Sequence, residues 1–433
     1  LNADAFDFHL LSATGYLSNG TWQASTEHSP AIDFGWSVAA VGAETDPNGG
    51  RLNVGLYGGT AEASRSRTNA WTYAMAFNDG GSLIQTGRLE WVASTNLAGA
   101  DVALEYSTNQ WATTNAIATV PATNEFHVWV PGFSHPAVQW RVRDPASGFA
   151  STNVKPFSVR ATTNATFTFY VNDGSSANDV YCQGLGNDAN LGIASNAPKR
   201  GLQAILNAYD LEGGDVVYVD TGDYSTNVST LATAFDSGAE GRPVRIIGSP
   251  NGSKLSRGSA SAHTLELSGV YSWTLENLQL ADGNRGFSSS SSNVVLRNVW
   301  FTGNQYGVVL TGGADGHWFE QCVALGNTLQ ALSADLNSSY FRSNRWVNGV
   351  LWGGTALVQA RTNTLSVSNS ILGNGTWLLG NQIFPAGYNV VWSVAPKTDV
   401  ATFTALQDLG WGWSNCVYAD PLFANATNGD FHL

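Results

Sequence analysis

Short alternations of apolar and polar residues recur along the second half of the chain. Five segments between Trp273 and Gly375 can be aligned, and each reaches a Gly-Asn or Asn-Gly turn. Their apolar anchor residues follow one another at intervals of 21, 23, 22 and 26 residues. A period in the low twenties predicts a repeat protein whose units stack on one another. The anchors are Leu275, Leu296, Phe319, Phe341 and Val367.

A polar residue follows each anchor at a constant distance. This pattern predicts one coil of a right-handed parallel β-helix per segment, with coils stacked about 4.8 Å apart and apolar ladders inside. Stacked amides at a bend would satisfy one another's donors and acceptors, so we interpret these positions as structural and not catalytic. The positions are Asn277, Asn298, Gln321, Ser343 and Asn369.

An amphipathic helix is predicted just before the first coil. Apolar residues from Leu202 to Tyr209 have helical spacing, and Gly213 and Gly214 then end the helix. The next residues, "DVVYVD", read as the first strand. We interpret the helix as an N-terminal cap that covers the apolar ladder of the first coil.

Residues 74–160 have a different pattern of strand-like runs separated by turns. About seven short strands in this length predict an immunoglobulin-like or fibronectin type III-like sandwich. The region contains no cysteine, so the sandwich would lack an internal disulfide. Its aromatic residues Trp91, Tyr106, Trp129 and Trp140 lie within these runs, and we expect the tryptophans to be core residues.

The tetrapeptide Asp-Phe-His-Leu occurs twice, at 7–10 and at 430–433. The first copy is followed by "SPAIDFG" and "PNGGRLNVGLYGGTAEAS", and the second is preceded by "CVYADPLFANATNG". Together with "GDVVYVDTGDY", these phrases resemble the pectate-lyase-like right-handed parallel β-helix repeat proteins of giant bacterial surface and secreted proteins. In that family the continuation phrases follow the terminal phrase directly and close the C-terminal end of the helix.

The resemblance covers residues 1–65 and 168–433, with the closing phrases at the opposite end of the chain. It implies the fold and a tandem arrangement, but it does not fix the chemistry, since lyases, hydrolases and adhesins share this fold. We therefore expect an all-β protein with four parts. These are closing coils at 1–70, a sandwich at 71–162, a cap at 163–212 and a parallel β-helix at 213–433.

Composition narrows the choice of partners. The net charge is -13 and only 12% of residues are charged, which argues against nucleic acid as a partner. No apolar stretch approaches the ~20 residues of a membrane span.

No signal peptide is recognisable after Leu1, so we expect either that one was removed or that the chain is part of a longer protein. Cys182, Cys322 and Cys416 read as three buried thiols, or as one pair and a free thiol.

Candidate catalytic residues are few. If the protein is an enzyme, the best cluster comprises His317, Glu320, Arg342 and Arg345. The plainer interpretation is a surface ion pair between Glu320 and Arg342, one coil apart. The seven histidines show no spacing typical of a metal site, and we expect no cofactor. Calcium is an alternative at Asp173, Asp179 and Asp188, although Asx turns explain these residues more simply.

Three functions remain open. We favour an extracellular or cell-surface structural or adhesive protein, whose copies join head to tail into a fibre, stalk or surface layer. The alternatives are a secreted polysaccharide lyase or glycoside hydrolase, and a non-catalytic glycan-binding protein using Trp352, Trp411 and Trp413. In the favoured case Phe8 and Phe431 point inward and His9 and His432 outward. The assembly motif comprises Phe8, His9, Pro30, Ile32, Asp33, Leu422, Phe423, Phe431 and His432.

Overall fold

The computed structural model describes residues 7–36, 39–225, 229–334, 342–360, 364–376, 386–395, 413–425 and 430–431. The chain divides into two compact units, Leu1–Thr163 and Asn164–Leu433. Strands dominate both units, so the fold is all-β as predicted. Within the described ranges no helix is long and apolar enough to cross a membrane.

The N-terminal unit contains a hairpin and two larger sheets. The hairpin precedes a three-stranded antiparallel sheet of order β3-β5-β8. The other sheet has the order β4-β11-β9-β6-β7, with β10 beside β9 and only the β4–β11 pair parallel. The strands are β1 (Tyr16–Ser18), β2 (Thr21–Gln23), β3 (Thr72–Ala74), β4 (Ser82–Ile84), β5 (Gly87–Ala93), β6 (Asp101–Ser107), β7 (Asn115–Pro121), β8 (Phe126–Trp129), β9 (His135–Arg143), β10 (Ala150–Thr152) and β11 (Phe157–Arg160).

Tryptophans fill the core that these sheets share. Trp91 and Trp140 are fully buried, and Trp129 is buried beside them, as the sequence predicted. Each fully buried indole also has a partner, since Trp91 Nε1 donates to the Ala122 carbonyl at 3.0 Å and Trp140 Nε1 donates to the Ala76 carbonyl at 2.9 Å. The antiparallel sheets are therefore established, whereas their assignment to the immunoglobulin or fibronectin type III class stays a prediction.

The second unit is a parallel β-solenoid with three walls. Its first wall has the order β12-β13-β16-β19-β22-β25-β28-β31-β33-β35, its second β14-β17-β20-β23-β26-β29-β32-β34-β36, and its third β15-β18-β21-β24-β27-β30. Every neighbouring pair within a wall is parallel, as stacked coils require.

The strand bounds fall into three series, one for each wall. The first wall comprises β12 (Thr168–Val171), β13 (Val216–Val219), β16 (Val244–Gly248), β19 (Tyr271–Glu276), β22 (Ser292–Arg297), β25 (Trp318–Glu320), β28 (Arg345–Val347), β31 (Ser366–Ser368), β33 (Ala386–Gly387) and β35 (Trp413–Ser414). The second comprises β14 (Gly222–Ser225), β17 (Ser253–Ser259), β20 (Leu278–Gly283), β23 (Trp300–Thr302), β26 (Val323–Leu325), β29 (Val350–Trp352), β32 (Ile371–Thr376), β34 (Val390–Ala395) and β36 (Val417–Tyr418). The third comprises β15 (Thr230–Thr233), β18 (Leu265–Ser268), β21 (Arg285–Ser289), β24 (Tyr306–Leu310), β27 (Gln330–Ala334) and β30 (Ala356–Ala360).

The ladder along the first wall corrects one predicted coil. Phe319 pairs in register with Trp346, and Trp346 with Val367. The anchor of that coil is thus Trp346 and not Phe341, which lies outside the described residues. The extra residues fall between β27 and β28, and the pairing of the first wall continues in register on both sides of them. The inward residues Leu275, Leu296, Phe319, Trp346 and Val367 are fully buried.

From β19 onward, the corner after each described first-wall strand is a single residue in the left-handed conformation. Asn298 and Gln321 have φ values of 51° and 55°, and the backbone N–H of each donates to the coil that follows. Asparagine tolerates this conformation better than most residues, which explains its recurrence. In the corrected coil the corner is Asn348, with φ 55°, and not Ser343. Amide stacking is seen where Asn298 Nδ2 donates to Asn277 Oδ1 at 2.9 Å.

The predicted helix is present as α1 (Leu202–Leu206), but it ends with its C-cap at Asn207, earlier than the expected end at Gly213 and Gly214. It packs against β12 and β15, the first strands of the first and third walls, and buries Leu202 and Ile205. Short 3₁₀ turns also occur at Thr95–Leu97, Ala122–Asn124 and Ala234–Asp236. Cys182, Cys322 and Cys416 are buried free thiols, which agrees with the first of the two interpretations.

Candidate functional site

The candidate catalytic histidine lies inside the solenoid. His317 is fully buried, and its Nε2 is 2.8 Å from Ser289 Oγ while its Nδ1 is 3.1 Å from Asn344 Oδ1. Burial lowers the pKa of His317 to about 4. A neutral, enclosed imidazole with both ring nitrogens hydrogen-bonded does not reach a substrate in an outer groove.

The predicted ion pair has a different partner. Glu320 Oε2 accepts from Arg297 Nε at 3.1 Å, across the coil before it and not the coil after it. Arg342 instead points its guanidinium toward the carbonyls of Gly312 and Gly313. Since Val347 occupies the position opposite Glu320, the insertion before β28 moved Arg342 out of register.

Arg345 is the remaining candidate on this wall. It is exposed and lies opposite Trp318, two positions away from the residue opposite Glu320. The four candidates therefore lie apart. His317 is inside the solenoid and Glu320 is in an ion pair with Arg297. Arg342 contacts a turn, and Arg345 is at an exposed strand position. The paired-carboxylate arrangement of a glycoside hydrolase needs convergence that these residues do not have.

The calcium candidates each accept a hydrogen bond from the chain, and only Asp173 does so within a tight turn. Asp173 Oδ1 accepts from the Ser175 N–H at 2.7 Å, Asp179 Oδ2 accepts from the side chain of Asn172 at 2.7 Å, and Asp188 Oδ1 accepts from the Arg200 N–H at 2.9 Å. Burial raises the pKa of Asp179. No group of three or more His, Cys, Asp or Glu side chains suited to a metal occurs among the residues that the structure describes.

Within the closing segment, residues 7–66, a buried polar network surrounds Asp33. The Ser66 hydroxyl donates to Asp33 Oδ1 at 2.5 Å, and the Asp33 N–H donates to Asn53 Oδ1 at 2.8 Å. Burial raises the pKa of Asp33 to about 6. Gly49, with φ 61°, lies so close to this carboxylate that an added Cβ would be 2.5 Å from it, so the "PNGG" turn requires glycine there.

Glu44 is a second buried carboxylate of the closing segment, and the sequence analysis did not identify its role. Its Oε1 accepts the backbone N–H groups of Asn53 and Gly59, each at 2.8 Å. Of the predicted motif residues nearby, Ile32 is buried and Pro30 is exposed. The segment is thus held by one carboxylate that accepts two backbone N–H groups and another that accepts a side-chain hydroxyl, which no periodic pattern reveals.

The first Asp-Phe-His-Leu copy reverses the predicted orientation. His9 is buried, with its Nδ1 2.7 Å from Asp7 Oδ1 and its ring stacked on Tyr57 at a centroid distance of 3.7 Å. Phe8 is 46% exposed. The prediction of Phe8 inside and His9 outside is wrong, because the imidazole has polar and aromatic partners that compensate its burial.

Phe8 belongs to an exposed apolar surface. Together with Val54 and Leu56 it lines one shallow cavity, and those two side chains are 47% and 69% exposed. We call Phe8, Val54 and Leu56 the closing surface. Contiguous apolar exposure of this kind is typical of an interaction site more than of a free monomer surface.

The second Asp-Phe-His-Leu tetrapeptide, at 430–433, has a different environment from the first. Phe431 lies 6.2 Å from Trp300, 6.5 Å from Trp352 and 4.9 Å from Phe423, measured between ring centroids. We call Trp300 and Trp352 the aromatic shelf, which the sequence analysis did not identify as a unit. Leu422, by contrast, is exposed with φ 54°. Phe431 lies against the outward residues Trp300 and Trp352, so the prediction that it points inward is wrong. His432 lies outside the described residues.

Trp352 is the only tryptophan of the predicted glycan platform whose side chain the structure describes. Its ring lies 5.2 Å from that of Phe423 and over Gly373, where a Cβ would collide with it. Trp411 lies outside the described residues, and only the backbone of Trp413 is described. The Trp352 ring is therefore already packed within the chain.

No protein-family model, curated protein or solved structure matches this chain.

Proposed function

We propose that the protein is a structural or adhesive repeat protein of the cell exterior, whose copies join head to tail. In this proposal the solenoid is a right-handed pectate-lyase-like β-helix and the antiparallel sheets form an immunoglobulin or fibronectin type III-like sandwich. Residues 1–70 supply the closing coils of a neighbouring copy. A peptide bond or a non-covalent contact between copies would serve equally well.

The observation that carries this proposal is the unequal packing of one tetrapeptide. Phe431 packs within its aromatic cluster, whereas Phe8 in the same phrase is 46% exposed. Burying a fully exposed phenyl ring contributes about 1.5–3 kcal/mol, so covering the half-exposed Phe8 contributes about half of that and the closing surface favours a partner. The proposal is also supported by the parallel walls, because a further strand from another copy can pair in register with the last strand of a wall.

A polysaccharide lyase or hydrolase has less support. His317 is enclosed, and Glu320 pairs with Arg297 at a surface where the two side chains are 31% and 50% exposed. Exposed pairs of this kind are common on proteins and carry no catalytic implication.

Intact mass spectrometry combined with sedimentation of the protein from its natural source tests the proposal. A polypeptide many times 45.9 kDa, or a 45.9 kDa chain that sediments as a large assembly, supports it. A 45.9 kDa chain that sediments as a monomer contradicts it.

A further inference from the structure

The aromatic shelf has the geometry of a receptor for one phenyl ring. Trp300 and Trp352 occupy outward positions of β23 and β29, while their neighbours Phe301 and Leu351 point inward and are fully buried. One strand, β26, separates the two, and Trp352 lies two residues beyond the position in register with Trp300, so the two Cα atoms are about 11–12 Å apart. This spacing leaves room for a ring that contacts both indoles at 4.5–7 Å, as Phe431 does.

Phe423 and Phe431 reach the shelf as a pair. Asn425 and Asp430 form an antiparallel bridge, with backbone hydrogen bonds of 3.1 and 3.0 Å in both directions. The rings of Phe423 and Phe431 meet edge to face, with an angle of 77° between their planes. The bound element is thus an Asp-Phe segment, held by the bridge to Asn425, whose phenyl ring lies against the second wall.

The closing surface offers the same segment to solvent. Asp7 and Phe8 repeat the residues Asp430 and Phe431, and His9 fixes the Asp7 carboxylate at 2.7 Å. Phe8 is directed away from this polar cluster, beside Val54 and Leu56. An apolar ring on a fixed backbone loses little conformational entropy on binding.

We propose that Phe8 of one copy binds the aromatic shelf of a second copy, in the place that Phe431 occupies within its own chain. This inference rests on the proposed head-to-tail function and identifies the contact that joins the copies. The contact is heterologous, because the closing surface of one copy meets the second wall of the next. Between separate chains, the resident Phe431 competes with the incoming Phe8 and limits association.

Removing the Phe431 ring from the aromatic shelf therefore tests this inference. Sedimentation equilibrium of the full chain carrying Phe431→Ala is expected to show concentration-dependent self-association, with a Kd at least about tenfold lower than that of the wild type. Adding Phe8→Ala or Trp352→Ala to this variant abolishes the gain. Both copies carry a net charge of -13, so added salt strengthens an apolar contact between them.

Complementation between two defective variants makes the test specific. The Phe8→Ala/Phe431→Ala chain keeps an open shelf, and the Trp352→Ala/Phe431→Ala chain keeps Phe8. Each alone stays monomeric, whereas their equimolar mixture forms a heterodimer that does not grow further. Phe126→Ala in the Phe431→Ala background is the matched control, because Phe126 is 42% exposed in the same unit as Phe8 and should leave association unchanged.

Circular dichroism of every variant separates loss of contact from loss of fold. A Phe431→Ala chain that is folded and monomeric at about 100 μM, a concentration that detects even weak contacts, overturns the inference. Association that persists in Phe8→Ala/Phe431→Ala overturns it as well. If either result accompanies multimeric protein from the natural source, the head-to-tail function stands and only the Phe8 contact is wrong.

Discussion

Phe319 stacks on Trp346 one coil away, with ring centroids 5.3 Å apart and planes inclined by 24°. This pair fixes the register of the first wall at the coil where the insertion occurs. Trp346 occupies the position opposite Phe319 that the sequence analysis assigned to Phe341. A coil can therefore be longer between its strands while its inward ladder stays continuous.

Removing the Trp346 ring should weaken the solenoid strongly. Trp346→Ala leaves a large cavity in a fully buried position, so we expect a loss of about 3–5 kcal/mol in the free energy of unfolding. Urea denaturation followed by far-ultraviolet circular dichroism measures it. Trp318→Ala, on an exposed side chain of the neighbouring strand, is the matched control and should cost less than about 1 kcal/mol. Equal losses in the two variants would contradict the register.

Asp33 should make the N-terminal unit less stable as the pH rises. Its pKa is raised from 3.8 to about 6 by burial, opposed by the Ser66 hydrogen bond and by Arg51 and reinforced by Glu44. The protonated form is therefore favoured in the folded state. Its contribution is full below pH 3.8 and is lost as the pH rises to about 6, by up to ~3 kcal/mol.

Asp33→Asn separates this effect from other titrations, including that of Asp236, whose pKa is also raised to about 6 by burial. Differential scanning calorimetry between pH 4 and 7 should show a smaller decline in the N-terminal transition for the variant than for the wild type. Parallel curves would show that Asp33 does not titrate in this range.

The three cysteines should resist alkylation in the native state. Burial raises the pKa of Cys182 and Cys322 to about 12, and it also raises that of Cys416. Since the thiolate is the reactive form, iodoacetamide at pH 8 should label them slowly until denaturant is added. Peptide mass spectrometry identifies each site, and rapid labelling of Cys322 in the native protein would argue against the solenoid interior described above.

The Glu320–Arg297 pair should contribute little. A double-mutant cycle with Glu320→Gln and Arg297→Ala is expected to give a coupling energy of about 0.2–1 kcal/mol, as for other exposed pairs. The same cycle with Arg342→Ala in place of Arg297→Ala should give no coupling. If Glu320 couples to Arg342 instead, the corrected register is wrong.

Turnover of uronic-acid polymers tests the enzymatic alternative directly. We expect no product from a panel of these polymers, and no difference between the wild type and Arg342→Ala, because the candidate residues do not converge. Reproducible cleavage that is lost in Arg342→Ala would establish an activity that the described geometry does not anticipate.

Much of the solenoid followed from sequence because its signals are periodic. Inward ladder residues such as Leu275 and Leu296 alternate with polar ones, and left-handed corners such as Asn298 select asparagine. The pattern failed at Phe341, where "YFRSN" and "RWVNG" offer two similar alternations. Only the pairing across coils decides between them, and pairing is a non-local property.

The candidate site was less accessible to sequence reasoning. Alternation shows that Phe8 and His9 point in opposite directions, but it does not tell which side is covered. That choice depends on Tyr57 and Asp7 around the imidazole. The aromatic shelf likewise needs Trp300 and Trp352, which are 52 residues apart and come together only when coils stack.

Electron microscopy of the protein released from its natural source tests the head-to-tail account most directly. If copies join head to tail, we expect unbranched chains of one repeating unit, whether the copies are joined by peptide bonds or by the Phe8 contact. A field of dispersed single particles, each the size of one 45.9 kDa chain, would contradict it.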